Sequence, residues 1–123
     1  GVHYLGYVSG EELQFLYSAS MLFVFPSLYE GFGLPVLEAM AAGLPVVVNN
    51  KEPLLEVLGG TGLVVDGTPA SFRGAILKLQ NDPNLRQALG VAARRRAVEL
   101  DGTLMEKKEA ELYGEIMKMY AKT

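Results

Sequence analysis

Short apolar segments alternate with helical patterns along this 123-residue chain, and the alternation restricts the fold more than any other feature. Residues 21–25 are apolar on both alternating sets of positions, which predicts a strand covered on both faces, as in parallel sheets. Further strands are predicted at residues 2–5, 45–48 and 62–65. Because helical patterns separate these strands, we predict right-handed βαβ units and an α/β fold with about four parallel strands.

The predicted helices have recognisable beginnings. Ser9 with Glu12 three residues later is a capping box, and Pro35 suits the first turn of a helix that begins near Leu34. A short helix is predicted at residues 54–58, and longer ones follow polar residues at positions 68, 82 and 103. We therefore predict one domain over residues 1–123, with an alternating part at 1–66 and a helical part at 67–123.

Composition excludes several classes of protein. The chain has no cysteine, so it has neither a disulfide framework nor a thiolate metal site. No apolar run approaches the roughly 18 residues of a membrane span, and no basic-then-apolar signal segment opens the sequence. The net charge of −3 argues against sequence-independent binding of nucleic acid, which depends on basic patches. We therefore expect a cytoplasmic protein with no transmembrane segment and no nucleic-acid partner.

The loop after residues 21–25 is the richest candidate for a ligand site. In open parallel sheets ligands bind beyond the carboxyl ends of the strands, where this loop lies. It contains Glu30, and Glu38 follows eight residues later, about one turn inside the next helix. Because helical side chains lean toward the amino end, both carboxylates are predicted to flank one helix terminus.

The backbone of the same loop favours an anion. The amides of Phe32, Gly33 and Leu34 are free donors at the helix terminus, where the helix dipole adds partial positive charge. Carboxylates accept hydrogen bonds from sugar hydroxyls, so the combination suits a molecule with a diphosphate and sugars. The simpler interpretation stays open: the glycines make a tight turn, and the glutamate only complements the dipole.

Residues 26–48 closely resemble the signature segment of the family 4 retaining glycosyltransferases. Glu30 and Glu38 match its E-x7-E motif, inside the family's Pro-Ser, Gly-Phe-Gly-Leu-Pro, Glu-Ala-Met-Ala and Gly-x-Pro-Val-Val. The resemblance extends over residues 2–97. It implies a two-domain enzyme with paired Rossmann-like domains, of which this chain is similar to the second half of the C-terminal one, in the glycosyltransferase B-type fold.

The resemblance also implies roles for individual residues. Glu30 is the catalytic candidate, contacting the donor sugar near its anomeric centre, and Glu38 holds the ribose hydroxyls of the nucleotide. The remaining donor-binding candidates contribute backbone amides to the sugar and diphosphate: Gly31, Phe32, Gly33 and Leu34. No metal and no separate cofactor are implied, since the nucleotide-diphosphosugar is the donor substrate of a hexosyl transfer.

The chain departs from the family pattern in two respects. The basic pair that stabilises the departing diphosphate, two strands and the acceptor domain have no counterpart in residues 1–123, so whether this chain alone is an enzyme stays open. Residues 49–53 replace small or glycine-rich residues that face the donor in many members, which leaves the donor's identity open.

The missing strands affect the sheet. In the usual strand order 3-2-1-4-5-6, residues 21–25 lose a neighbour and become an open edge. Either residues 2–5 move in beside them, or two chains pair edge to edge, and we expect a homodimer. One alternative function is therefore an inactive folding or assembly module that keeps the motif as an ancestral trace. Another, which the motif disfavours, is a related epimerase or phosphorylase.

Two other features have simpler interpretations. His3 is the only histidine, and its position within a predicted strand favours a structural role. The basic run at residues 94–96 is interpreted as a solvated helix face, not as a phosphate or nucleic-acid site.

Overall fold

The computed structural model describes residues 2–26, 34–52 and 54–100, with the backbone alone at Leu34. Within these ranges the chain forms five helices and three strands. The helices are α1 (Gly10–Ala19), α2 (Leu34–Ala41), α3 (Leu54–Leu58), α4 (Pro69–Asn81) and α5 (Pro83–Leu100). The strands are β1 (Phe23–Phe25), β2 (Val46–Asn49) and β3 (Leu63–Val65). The helix predicted from residue 103 onward lies outside the described residues.

The three strands form one parallel sheet in the order β1-β2-β3. Phe23 pairs with Val46, and Val47 pairs with Leu63. All four residues of β2 are buried, which agrees with an apolar central strand covered on both faces. The predicted α/β fold with a parallel sheet is confirmed, and the three strands lie within one or two residues of the predicted positions.

The strand predicted at residues 2–5 is wrong. That segment pairs with no strand among the described residues, and Val2 and Tyr4 are almost fully exposed. His3 is exposed as well, so it has no structural role in a sheet. A run of apolar residues becomes a strand only when a neighbour supplies its backbone hydrogen bonds, and none does so here. The described sheet therefore has three strands, and β1 lies at one edge.

Helices cover both faces of this sheet. Successive side chains of a strand point to opposite faces, so Val46 and Val48 face one layer and Val47 the other. The first layer is a core of buried residues from α1, α2, α3 and α5, with Met40, Leu54 and Leu58 among its largest side chains. The second layer is smaller. Its buried members are Val47 and two residues of α4, Ala75 and Leu79.

Local signals in the sequence place the ends of the helices. Ser9 and Glu12 form the predicted capping box at α1, with each side chain bonded to the other residue's backbone N–H. The Thr68 side chain accepts a hydrogen bond from the Ser71 amide at the start of α4. Gly43 follows α2 with a φ of 81°, the left-handed conformation that ends a helix and that glycine adopts without strain.

The three arginines at residues 94–96 have different surroundings: two are exposed to solvent, and the third contacts the protein backbone. Arg94 and Arg95 are exposed, as a solvated face requires. Arg96 is not part of that face: its guanidinium donates to the backbone oxygens of Glu56, at 2.8 Å, and Val57, at 3.3 Å. The last carbonyls of a helix have no partner within the helix, so Arg96 satisfies two of them at the end of α3.

Candidate functional site

The candidate site lies where the strands end. In a parallel sheet all carboxyl ends lie at the same edge, so Phe25, Asn49 and Val65 end the three strands side by side. Helix α2 begins at Leu34, after the connection that follows β1, and then packs against β1 and β2. The carboxyl end of β1 therefore lies at the edge where ligands bind in folds of this class.

The structure describes two of the six predicted site residues. Glu30, Gly31, Phe32 and Gly33 lie outside the described residues, so their roles stay predictions. Leu34 is the first residue of α2, and Glu38 lies one turn further along the same helix with its side chain exposed. The structure thus puts both described site residues on α2, Leu34 as its first residue and Glu38 as its fifth.

The Glu38 carboxylate has a protein partner that the sequence analysis missed. The Tyr17 hydroxyl of α1 donates a hydrogen bond to Glu38 Oε2 at 3.1 Å, and it lies 3.5 Å from the backbone oxygen of Pro35. One hydroxyl close to both groups means that the carboxylate lies over the first turn of α2. Among the described residues no other donor contacts this carboxylate, and Oε2 is the oxygen that Tyr17 engages.

Tyr17 is held firmly in this position. Tyr17 is 6% exposed, and the centroid of its ring lies 5.9 Å from that of Phe23. The planes of the two rings are tilted by 59° to each other. Burial, with the nearby charge of Glu38 and the hydrogen bond to it, raises the pKa of Tyr17 to about 12. Tyr17 is therefore a protonated hydrogen-bond donor across the physiological pH range.

One signal in the sequence could have pointed to this contact. By their spacing, Leu13, Leu16 and Tyr17 lie on one face of α1, which is the pattern of an apolar buried face. A tyrosine on such a face still needs a hydrogen-bond partner for its hydroxyl. The sequence does not say which partner, because Tyr17 and Glu38 are 21 residues apart.

Asn49 is the buried polar residue at the same edge of the sheet. It is 2% exposed, and its Oδ1 accepts a hydrogen bond from the Asn50 amide at 2.9 Å. A Cβ atom added to Gly67, in the loop after β3, would lie 2.6 Å from Asn49 Oδ1. The segment that departs from the family pattern therefore begins with a side chain enclosed by the neighbouring loop.

Neither a metal site nor a membrane-spanning helix is present among the described residues. They contain no group of three or more His, Cys, Asp or Glu side chains that could hold a metal ion. None of their helices is long and apolar enough to cross a membrane. The expectations that the donor needs no metal and that the protein is cytoplasmic stay predictions.

Comparison with known proteins supplies the family. The profile described as "Glycosyl transferases group 1" matches residues 1–96. O-antigen chain mannosyltransferase B of Escherichia coli is 58% identical over 87 residues, which are 70% of this chain and 23% of that protein. The MMP alpha-(1->4)-mannosyltransferase of Mycolicibacterium hassiacum is 39% identical over 103 residues, 80% of this chain and 25% of that protein.

A solved structure agrees with the fold. Sucrose-phosphate synthase from Thermosynechococcus elongatus superposes with a TM-score of 0.74 at 31% identity, over 97% of this chain and 30% of that one. This likeness confirms the predicted Rossmann-like domain of the glycosyltransferase B type. The chain spans about a quarter of the length of the two mannosyltransferases. With a family match over most of its length, the chain belongs to the group 1 glycosyl transferases.

Proposed function

We propose that this chain binds the nucleotide-sugar donor of a retaining glycosyltransferase, which transfers a hexosyl group from a nucleotide-diphosphosugar. The observation that carries the proposal is the Glu38 carboxylate, which Tyr17 holds through Oε2 over the first turn of α2. This carboxylate supports the proposal because it accepts hydrogen bonds, and a ribose has two neighbouring hydroxyls that can donate them. Two relatives named as mannosyltransferases support a hexose as the transferred sugar.

The proposed donor occupies the carboxyl edge of the sheet. Its ribose hydroxyls bond to Glu38, and its diphosphate lies against the amino end of α2, where free amides and the helix dipole favour negative charge. The reaction breaks the bond between the anomeric carbon and the diphosphate, so negative charge develops on the leaving group. Glu30, with the backbone of residues 31–33, contacts the sugar in this proposal.

The acceptor is proposed to bind elsewhere in the whole protein. The curated relatives are about four times as long as the segment they share with this chain. Their length leaves room for a second domain with the acceptor site. It also leaves room for the first two strands of this domain, with the basic pair that stabilises the diphosphate. Catalysis by residues 1–123 alone is not part of the proposal.

A nucleotide titration followed by amide chemical shifts tests donor binding. UDP, GDP and ADP are added separately to the labelled chain, up to millimolar concentration. We expect one of them to shift the amides of residues 31–38, and Glu38→Ala to abolish the shifts. Glu11→Ala removes the same charge from an exposed site on α1 and should leave the shifts unchanged. Unchanged spectra with all three nucleotides at millimolar concentration would contradict the proposal.

A second candidate function is self-association through β1. This strand lies at the edge of the described sheet with its three residues half-buried, and Met21 beside it is 52% exposed. An open apolar edge is a template for pairing with a second chain. If the chain forms a dimer but binds no nucleotide, the assembly module is the better interpretation.

A further inference from the structure

We propose that Tyr17 is a positioning residue for the donor: its hydroxyl orients the Glu38 carboxylate so that Oε1 meets the ribose hydroxyls. Tyr17 itself touches no ligand in this proposal and acts only through Glu38. The inference rests on the proposed function of Glu38 as the ribose-binding residue. It assigns the polar end of a core tyrosine to the binding site.

The hydrogen-bond geometry fixes which oxygen is occupied. A tyrosine hydroxyl has one proton, and its distance to Glu38 Oε2, 3.1 Å, is shorter than that to the Pro35 backbone oxygen, 3.5 Å. The proton therefore goes to the carboxylate, which is also the stronger acceptor because it is charged. Oε2 is then engaged by the protein, and Oε1 is the oxygen left for the two ribose hydroxyls.

Because Tyr17 is rigidly held, its hydroxyl can restrict the conformation of the flexible Glu38 side chain. Glu38 is exposed, and an exposed glutamate without a partner samples several rotamers. Tyr17 lies on α1 and is buried against Phe23 of β1, so its hydroxyl is held at a fixed point relative to α2. The contact restricts Glu38 before the nucleotide arrives, and such preorganisation strengthens binding by reducing the ordering that binding requires.

A purely structural role predicts something different. If the contact only satisfies a buried hydroxyl, then Tyr17→Phe changes the stability of the fold and leaves nucleotide recognition unaltered. The positioning role predicts that the effect depends on whether the nucleotide has ribose hydroxyls. A comparison of nucleotides with and without ribose hydroxyls therefore distinguishes the structural role from the positioning role.

The experiment compares each nucleoside diphosphate with its 2′,3′-dideoxy analogue. Dissociation constants are measured by calorimetry or chemical shift for the parent chain, Tyr17→Phe, Glu38→Gln and the double variant. We expect Tyr17→Phe to weaken binding of the ribonucleotide roughly ten-fold, as loss of one hydrogen bond to a charged group does. Binding of the dideoxy analogue should be unchanged, and Tyr17→Phe should have no further effect in Glu38→Gln.

Tyr7→Phe is the matched control, since it removes the same hydroxyl from a fully exposed tyrosine. A second measurement needs no variant: three-bond couplings of the Glu38 side chain in the parent chain should indicate one dominant rotamer before nucleotide is added. Rotamer averaging in the parent chain would overturn the inference, even if Tyr17→Phe failed to fold.

The outcomes distinguish this inference from the proposed function. If the parent chain binds the ribonucleotide better than the dideoxy analogue and Tyr17→Phe keeps that preference in full, Tyr17 has no positioning role and donor binding stands. If the parent chain binds neither compound at millimolar concentration, donor binding fails and the inference fails with it. If Tyr17→Phe loses affinity for the ribonucleotide and not for the dideoxy analogue, both donor binding and the positioning role of Tyr17 are supported.

Discussion

The backbone oxygen of Gly43 occupies the space that a Cβ atom of Gly90 would need. Helix α5 therefore crosses the end of α2 at a distance that only glycine permits, and the two helices share an extensive contact. This approach fixes α2, the helix of Glu38, against the longest helix of the described fold.

We expect Gly90→Ala to destabilise the fold by about 1–3 kcal/mol, because the added methyl group meets backbone that cannot easily move. The free energy of unfolding in urea measures the effect. Gly74→Ala is the matched control, since Gly74 lies inside α4 with no atom near its missing Cβ. That change should be neutral or stabilise by up to about 1 kcal/mol through helix propensity. Equal effects at the two positions would contradict the close packing.

Arg96→Ala should also weaken the fold, because it removes the guanidinium that donates to the backbone oxygens of Glu56 and Val57. We expect a loss of about 1–2 kcal/mol in the free energy of unfolding, as for a partly exposed, charge-assisted hydrogen bond. Its ion pair with Glu99 adds little, since that glutamate is exposed. Arg96→Lys should recover only part of the loss, because a single ammonium lacks the fork that reaches both oxygens.

The exposed Arg95 is the control for the loss of a positive charge on α5. We expect Arg95→Ala to change the free energy of unfolding by less than about 0.5 kcal/mol. A loss at Arg95 as large as that at Arg96 would mean that overall charge, and not the contact with α3, stabilises this helix.

Local signals made much of this fold predictable. The boundaries of α1 and α2 follow from the Ser9–Glu12 capping box and from Gly43, and each signal acts within a few residues. Strand β2 was predictable because three consecutive valines follow Pro45, and β-branched residues favour strands. Residues 2–5 misled the prediction because a strand depends on a neighbour, and that neighbour is not encoded in the segment itself.

The site was less predictable than the fold, because its contacts also depend on neighbours that a local segment does not encode. The motif indicated Glu38 from its spacing and surroundings, and the role of Glu38 in binding stays a prediction. The contact of Tyr17 with Glu38 and the approach of Gly90 to Gly43 join residues far apart in sequence. Their existence depends on how the helices pack, which periodicity alone does not determine.

The Tyr17 hydroxyl predicts a dependence of stability on alkaline pH. Its pKa is about 12 in the fold against a reference value of 10.0. Above pH 10 the unfolded chain loses this proton while the folded chain keeps it, so rising pH favours unfolding. The stabilisation is fully present below pH 10 and is lost as the pH rises toward 12. Urea unfolding at several pH values, compared with Tyr17→Phe, measures this contribution.

Two variants separate the causes of that shift. In Tyr17→Phe the part of the pH dependence between 10 and 12 that belongs to Tyr17 should vanish. In Glu38→Gln the pKa of Tyr17, followed by carbon-13 labelling of the tyrosine ring, should fall toward 10.0 because the carboxylate charge is gone. A pKa that stays near 12 in Glu38→Gln would assign the shift to burial and to the hydrogen bond, which a glutamine oxygen still accepts.

The open edge of β1 leads to the last prediction, a homodimer at micromolar concentration by light scattering. The Phe23 amide bonds to the Pro45 oxygen beside β2, and backbone groups of a parallel strand alternate sides, so those of Val24 point away from β2. Val24→Pro removes this outward donor without breaking the ladder, and it should give a monomeric mass. Val64→Pro makes the same change at the other edge, where Val65 faces β2, and should leave the dimer intact. A monomeric parent chain would refute edge pairing, and a dimer that survives Val24→Pro would place the interface elsewhere.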